Sequence, residues 1–357
     1  MDGGDHADVL VAVSVLERGR RDRLGGRRRA HRVLRRTGRR GHDRALRRLR
    51  RYRGGCARRD RDRGAARVAP APRGRDMKAA AALLLLCALF ACPAAATAVA
   101  PVPAFEHVVL IVFENKEFTS ILGSPAAPTF NSYARRYANL TRYFGVTHPS
   151  LPNYLALVSG STHGITSDCT SCVASGKSLA DTIEESGRTW KTYAEDLPSV
   201  GFLGPASRRY AKKHDPFAYF PDVADSPSRR ARIVPLSRLA IDLRAGTLPS
   251  FSLVVPDLCH SMHDCPVSVG DAWLRRIVPT LLSLPNSVVF VVFDEGSTSI
   301  RGGGHTVALA LGTAVRRHTR FTRITSHYGL LRTIEQAWGL PLLGRSAGAT
   351  PITGIWH

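Results

Sequence analysis

From Glu106 onward the chain alternates between two rhythms of apolar and polar residues. His107–Phe113 (HVVLIVF) and Ser287–Phe293 (SVVFVVF) are unbroken apolar runs of strand length, the kind buried on both faces of a parallel sheet. Thr129–Tyr137 spaces its aromatic residues helically, Leu140–Val146 reads as a returning strand, and Leu151–Val158 reads as a buried helix entered from a Pro-rich turn. Ser178–Ser186 has the pattern of an amphipathic helix and Thr189–Tyr193 that of a short strand. Leu236–Arg244, Asp271–Leu284 and Tyr328–Trp338 predict further helices, and Phe251–Val255 and Val307–Leu311 further strands. Gly201–Arg232 mixes Pro, aromatic and charged residues without a period, which predicts a loop-rich insertion over one edge of the sheet. Strands alternating with helices and no internal repeat predict one α/β domain, residues 105–357, with a mainly parallel sheet.

Composition changes the picture at the front of the chain. Hydrophobic residues at 44% and charged residues at 22% are globular values that exclude wholesale disorder and a polytopic membrane protein. The net charge of +23 is uneven: residues 1–76 hold 25 Arg, no Lys and 9 acidic residues, a net of +16, which leaves +7 for residues 77–357. This Arg-only stretch lacks hydrophobic periodicity and looks like GC-rich DNA read upstream of a true start. Residues 1–76 are therefore expected to be a mis-assigned leader outside the fold, with a genuine basic arm as the alternative, and no nucleic-acid partner is expected.

Next comes a targeting pattern. Met77-Lys78 is a charged n-region, Ala79–Ala91 an apolar h-region, and Ala94-Ala95-Ala96 or Ala96-Thr97-Ala98 a small-residue cleavage site. A signal peptide at 77–98 predicts a secreted or cell-envelope protein with no stable membrane span after cleavage. Four cysteines then remain, in two close pairs, Cys169 with Cys172 and Cys259 with Cys265. Such pairs can bind zinc, but export favours disulfides, and of the three connectivities the two local ones are expected.

Polar residues gather where strands end. In open α/β sheets ligands bind outside the carboxyl ends of the strands, and there the two most apolar strands run into Glu114-Asn115 and Asp294-Glu295. Carboxylates at the lip of a buried sheet repel one another unless a cation lies between them, and hard oxygen donors suit a divalent metal. Taken singly, each pair is equally explained as a helix cap. Ser150 lies at a predicted strand-to-helix turn, where a hydroxyl faces the cleft and helix N–H groups favour an anion; an N-cap role fits the local pattern equally well.

These segments resemble the bacterial phosphoesterase family of secreted acid phosphatases and non-specific phospholipases C, relatives of the alkaline phosphatase superfamily. The resemblance is carried by Glu114-Asn115-Lys116-Glu117-Phe118, by His148-Pro149-Ser150-Leu151-Pro152-Asn153-Tyr154 leading into Ser159-Gly160, by the His-containing stretch 257–264, by Phe293-Asp294-Glu295-Gly296, and by His327-Tyr328-Gly329-Leu330-Leu331-Arg332. It implies a three-layer, alkaline-phosphatase-like sandwich. It also implies an exported phosphomonoesterase working through a phosphoserine at Ser150, with Glu114, Asn115, Ser150, Asp294 and Glu295 around one divalent metal ion of open identity. Asn115 would also face the phosphate. Classical alkaline phosphatases have an Asp-His pair where this chain has Asp294-Glu295, which speaks against a full two-zinc site.

Four imidazoles sit where phosphate-facing groups are expected: His263 and His305 as active-site residues, His260 and His327 as substrate contacts, each equally compatible with a surface role. The Gly302-Gly303-Gly304 run before His305 would let backbone approach an anion. His148 is expected to support the turn, with Asp257 and Asp264 as orienting partners. Basic residues of the insertion, Arg208, Arg209, Lys212, Lys213, Arg229, Arg230 and Arg232, offer further anion contacts to a phosphate-ester substrate, whether small molecule or lipid head group. A phospholipase C-like phosphodiesterase is the alternative activity, and a non-catalytic exported binding protein the alternative class.

Overall fold

A computed structural model describes residues 102–357; the expected leader (1–76) and signal peptide (77–98) lie outside them. Thirteen strands occur among the described residues: β1 (His107–Phe113), β2 (Ala138–Leu140), β3 (Tyr143–Phe144), β4 (Trp190–Ala194), β5 (Ala206–Ser207), β6 (Tyr210–Ala211), β7 (Ile233–Pro235), β8 (Phe251–Val255), β9 (Ser287–Phe293), β10 (His305–Thr306), β11 (Ala308–Leu311), β12 (Thr319–Phe321) and β13 (Thr325–Ser326). The helices of seven residues or more are α1 (Pro128–Arg136), α2 (Ser150–Ser159), α3 (Leu179–Glu185), α4 (Ser237–Ala245), α5 (Val267–Leu281) and α6 (His327–Trp338).

Eight strands form one sheet in the order β12-β2-β11-β9-β1-β8-β4-β7. Its central strands β9, β1, β8 and β4 are parallel, and β11 alone runs against its neighbours β9 and β2. The apolar runs are continuous because both faces are covered. Val108, Leu110 and Val112 of β1 pack with Leu155 and Val158 of α2, Ile183 of α3 and Leu331 of α6, whereas Val109, Ile111 and Phe113 pack with Phe130 of α1 and with Trp273, Leu274 and Val278 of α5. The result is the expected three-layer sandwich. Phe113 meets Phe130 and Trp273 edge-on, with ring centroids 5.2 and 5.8 Å apart, contacts worth roughly 0.5–1.5 kcal/mol each beyond burial. They pin the strand end from which Glu114 emerges.

Two elements differ from expectation. The run 140–146 is not one strand: β2 lies in the large sheet and β3 in a small one, β10-β3-β13. Alternating apolar residues encode burial but not sheet membership, so the crossover at Thr141-Arg142 leaves no mark in the pattern. α5 begins at Val267, four residues before Asp271, because Asp271 does not cap its own helix. It is buried, and its carboxylate accepts the N–H groups of Thr129 and Phe130 at 2.9 and 3.0 Å, capping α1, whose own N-cap Ala127 has no side-chain acceptor.

Candidate active site

The two strand-end acids are neighbours by register. β1 and β9 pair in parallel with Phe113 opposite Phe293, so Glu114 and Asp294 leave the same edge side by side. The Asp294 N–H donates to the Phe113 carbonyl at 2.9 Å. Asp294 Oδ1 accepts the N–H groups of Asn115 (3.1 Å) and Glu295 (2.6 Å), while its Oδ2 and Asn115 Oδ1 are buried without a partner.

Ser150 is the first residue of α2, and Pro149 stands at the cap position. Its hydroxyl makes no capping bond; it donates to Glu114 Oε2 at 3.0 Å. Tyr154, one turn further on the same helix face, donates to Glu114 Oε1. His214 Nε2 lies 3.3 Å from Glu114 Oε2 without hydrogen-bond alignment, and its ring stacks on Tyr154 at 5.1 Å. Glu114, Ser150, Tyr154, His214 and Asp294 are all essentially fully buried.

Burial governs the electrostatics. It pushes the Glu114 carboxyl up, against the Tyr154 hydrogen bond; it pushes Asp294 well up, reinforced by the charge of Glu114; and it lifts Glu295 to about 8, with the charge of Asp294 adding. Burial, aided by the charge of Lys213, lowers His214 to about 3, leaving a neutral imidazole. Three adjacent carboxyls that all resist ionisation, beside an unpartnered amide oxygen of Asn115, form a site short of positive charge.

The other expected residues are placed as follows. Glu295 is held at one side: its Oε2 lies 2.6 Å from His148 Nδ1 and accepts from Asn153 Nδ2 at 3.3 Å. Asn153 also ties the turn together, accepting from the N–H groups of Val146 and Thr147 and donating to the carbonyls of Thr147 and Pro149. His263 lies beside the cluster, its ring 6.0 Å from His214; its Nδ1 donates to Asp264 at 2.6 Å and its Nε2 accepts from Lys213 at 3.3 Å. His327 is buried behind Asp294: Nε2 donates to the Asp294 carbonyl and Nδ1 accepts from Tyr143 at 2.7 Å.

His305 is not brought to this cluster by any of its contacts. It stacks between Phe118 and Phe144, and its Nε2 donates to the Thr141 carbonyl at 3.0 Å. The glycine run before it serves a different approach from the expected one: a Cβ at Gly302, whose φ is +106°, would lie 2.1 Å from the Val146 carbonyl oxygen, and one at Gly303 2.6 Å from that of Thr147. The glycines therefore admit the backbone that leads into the Ser150 turn.

His260 belongs to a second cluster. Among the described residues, Glu195, Asp257 and His260 offer three ligand atoms within 4.8 Å of one another, a spacing that the acids around Glu114 do not meet. Part of this group already braces the turn: Glu195 Oε2 accepts from Asp257 N–H and lies 2.9 Å from His260 Nδ1, and Asp257 Oδ1 accepts the N–H groups of Cys259 and His260. At the strand-end site, by contrast, Asn115 Oδ1 and Asp294 Oδ2 are buried and accept no hydrogen bond, although both oxygens of Glu114 are engaged, by Ser150 and Tyr154. Those two free oxygens, beside Glu114 and Ser150, are of the hard-donor type that suits a divalent ion.

Tyr154, His214 and Asp168 were not singled out by sequence. Tyr154 could have been found by its i, i+4 spacing from Ser150; His214 and Asp168 lie in unpatterned segments and carry no such signal. Asp215, next to His214, is fully buried with Oδ1 unpartnered, and burial lifts it to about 7. Its folded-state value lies above the ordinary 3.8, so the stability linked to its protonation is complete at acid pH and is lost as pH rises from about 4 through 7. Asp215→Asn should raise stability at pH 8 by up to roughly 4 kcal/mol and leave it little changed at pH 4; urea midpoints at the two pH values check this, and an equal change at both contradicts it.

Both local disulfides are present, Cys169–Cys172 and Cys259–Cys265. No helix among the described residues is long and apolar enough to cross a membrane. Two open cavities of about 560 Å³ each lie elsewhere, one lined by Phe144, Arg301 and Tyr328, the other by Phe118 and Asn131; neither is lined by Glu114 or Ser150.

The sheet is mainly parallel with acids gathered at its carboxyl edge, and by its family and its relatives the protein is a phosphoric ester hydrolase. The phosphoesterase family model matches residues 124–341, more than half of the chain, and the chain belongs to this family. It is 38% identical over 282 residues to a phosphatidylinositol-3-phosphatase of Mycobacterium tuberculosis, covering 77% of this chain and 91% of that protein. It is 31% identical to a phosphate-repressible acid phosphatase of Penicillium chrysogenum, covering 68% of this chain and 61% of that one. Among solved structures, an alkaline phosphatase superfamily protein of Vibrio parahaemolyticus superposes with a TM-score of 0.50 at 15% identity, covering 71% of this chain and 73% of that one, a likeness of fold.

Proposed function

We propose that the protein is an exported, metal-dependent phosphomonoesterase acting through a phosphoserine at Ser150. The observation that carries this reading is the buried Ser150 Oγ, 3.0 Å from Glu114 Oε2 at the start of a helix, beside two unpartnered oxygens on Asn115 and Asp294. Glu114, Asn115, Ser150 and Asp294 would hold one divalent ion, with Glu295 bordering the shell; bound there, the ion supplies charge neutralisation and lowers the cost of ionising the hydroxyl. Ser150 Oγ attacks phosphorus in line, its proton passing toward Glu114 Oε2. The Oγ–P bond forms, the P–O bond of the ester breaks, and the departing alkoxide takes a proton from solvent water. Water then cleaves the phosphoserine, releasing inorganic phosphate and restoring the hydroxyl. His148 and Asn153 hold Glu295, and His327 holds the Asp294 carbonyl, so the acids stay aimed as charge shifts.

The named activity of the Mycobacterium relative makes phosphoinositide head groups a candidate substrate class. Export is supported by the two disulfides, which persist in oxidising compartments. The test is phosphate release from p-nitrophenyl phosphate, bis(p-nitrophenyl) phosphate and phosphatidylinositol 3-phosphate, with and without a chelator. Monoester turnover abolished by chelation and restored by a divalent ion is expected. Preferential diester turnover would transfer the reading to a phospholipase C-like enzyme, and no turnover of any ester would leave a binding protein.

A further inference from the structure

Asp168, just before the Cys169–Cys172 disulfide, joins two elements that no sequence pattern connects. Its Oδ1 accepts the N–H of Leu151, second residue of α2, at 2.9 Å, and its Oδ2 accepts Lys213 Nζ at 2.8 Å. A helix start needs external acceptors for its first N–H groups. Pro149 at the cap position offers no side-chain acceptor and Pro152 has no N–H, so Asp168 caps from across the loop the helix that carries Ser150.

Lys213 is half of the same clamp. Its ammonium bonds Asp168 and His263 Nε2 and its side chain is 18% exposed; the His263 ring lies 6.0 Å from that of His214, whose Nε2 is 3.3 Å from Glu114. The neighbouring Lys212 donates to the Thr170 carbonyl at 3.0 Å, sealing the disulfide loop to the turn. Several other cations of the insertion are committed elsewhere: Arg229 to Asp181, Glu184 and Asp222, Arg232 to Glu184, and Arg230 to the Ala224 carbonyl, while Arg208 faces Asp196. A phosphate monoester dianion arriving beside three carboxyls needs more positive charge than one divalent ion brings, and Lys213 stands where that charge is lacking.

We infer that Lys213 is the cation that grips the phosphoryl oxygens of the substrate and that Asp168 is its positioning residue, fixing the ammonium to the helix end that presents Ser150. The inference rests on the phosphomonoesterase reading above and goes beyond it by assigning the phosphate-binding group. Both links are short and charge-assisted, and they set the lysine relative to the nucleophile independently of the metal shell.

Kinetics with p-nitrophenyl phosphate and calorimetric titration of inorganic phosphate, on the full chain, test it. Lys213→Met should raise KM and weaken phosphate binding together by about tenfold or more, the worth of a charge-assisted hydrogen bond, with Lys213→Arg recovering part of the loss. Asp168→Asn keeps an acceptor for the Leu151 N–H but turns an amide toward Lys213, so it should show the same direction of change with an unaltered thermal midpoint. Asp168→Ala should add a fall of about 2–4 °C from the lost cap. Active wild type with Lys213→Met binding phosphate within twofold of it overturns the assignment alone. An Asp168→Asn enzyme that loses stability but not phosphate affinity makes Asp168 only a cap and overturns its positioning role. Wild type that neither turns over the monoester nor binds phosphate overturns the underlying reading, and this inference with it.

Discussion

Ser150→Ala should lower monoester turnover by roughly a thousandfold or more while the protein stays folded. The expectation rests on what the side chain touches. Had Ser150 capped α2, alanine would cost about 1 kcal/mol and leave the rate nearly intact; but the cap position belongs to Pro149 and the hydroxyl makes no capping bond. It donates to Glu114 instead, so its loss removes one buried hydrogen bond, about 1–2 kcal/mol, and the attacking oxygen. Ser150→Thr keeps a hydroxyl and should be the best-tolerated change. Turnover and thermal midpoint on the same variant separate the roles, and an acid-quenched, phosphorylated peptide spanning 148–154 would locate the intermediate. Turnover of Ser150→Ala within tenfold of wild type would falsify the nucleophile assignment and leave the fold untouched.

What the sequence made legible follows from where its constraints are local. β1 and β9 stand out because a strand buried on both faces needs an unbroken apolar run, and parallel pairing then makes their trailing acids neighbours without any further information. The turn around Ser150 was readable because Pro149 and Pro152 bracket a helix start. The remainder of the site comes from segments whose position is set by distant partners. His214 reaches Glu114 from an insertion with no period, Asp168 reaches Leu151 from a disulfide loop, and Asp271 caps a helix more than a hundred positions earlier. Nothing in a local window distinguishes such residues from solvated charge. His305 illustrates the converse. A histidine after a glycine run looks chemical, yet its glycines make room for carbonyls of the neighbouring turn and its ring fills a slot between two phenylalanines.

The second large effect is expected at Asp294, and the choice of substitution decides what is learned. Alanine would also remove Oδ1, which accepts the N–H groups of Asn115 and Glu295, so it would disturb the backbone of the site. Asp294→Asn keeps that acceptor and changes chiefly Oδ2, the oxygen without a protein partner. If Oδ2 faces a divalent ion, the amide removes one charged hard donor from a small shell, and turnover and bound metal should fall together, turnover by roughly a hundredfold or more. Without metal, the variant should be at least as stable as the wild type, since burying Asp294 beside Glu114 is costly and the amide carries no charge. Metal content by atomic emission, turnover, and the thermal midpoint in chelator give three separate readings. Full metal content with lost turnover would move Asp294 from the shell to an orienting role, because an oxygen that does not bind the ion can be exchanged for nitrogen without releasing it.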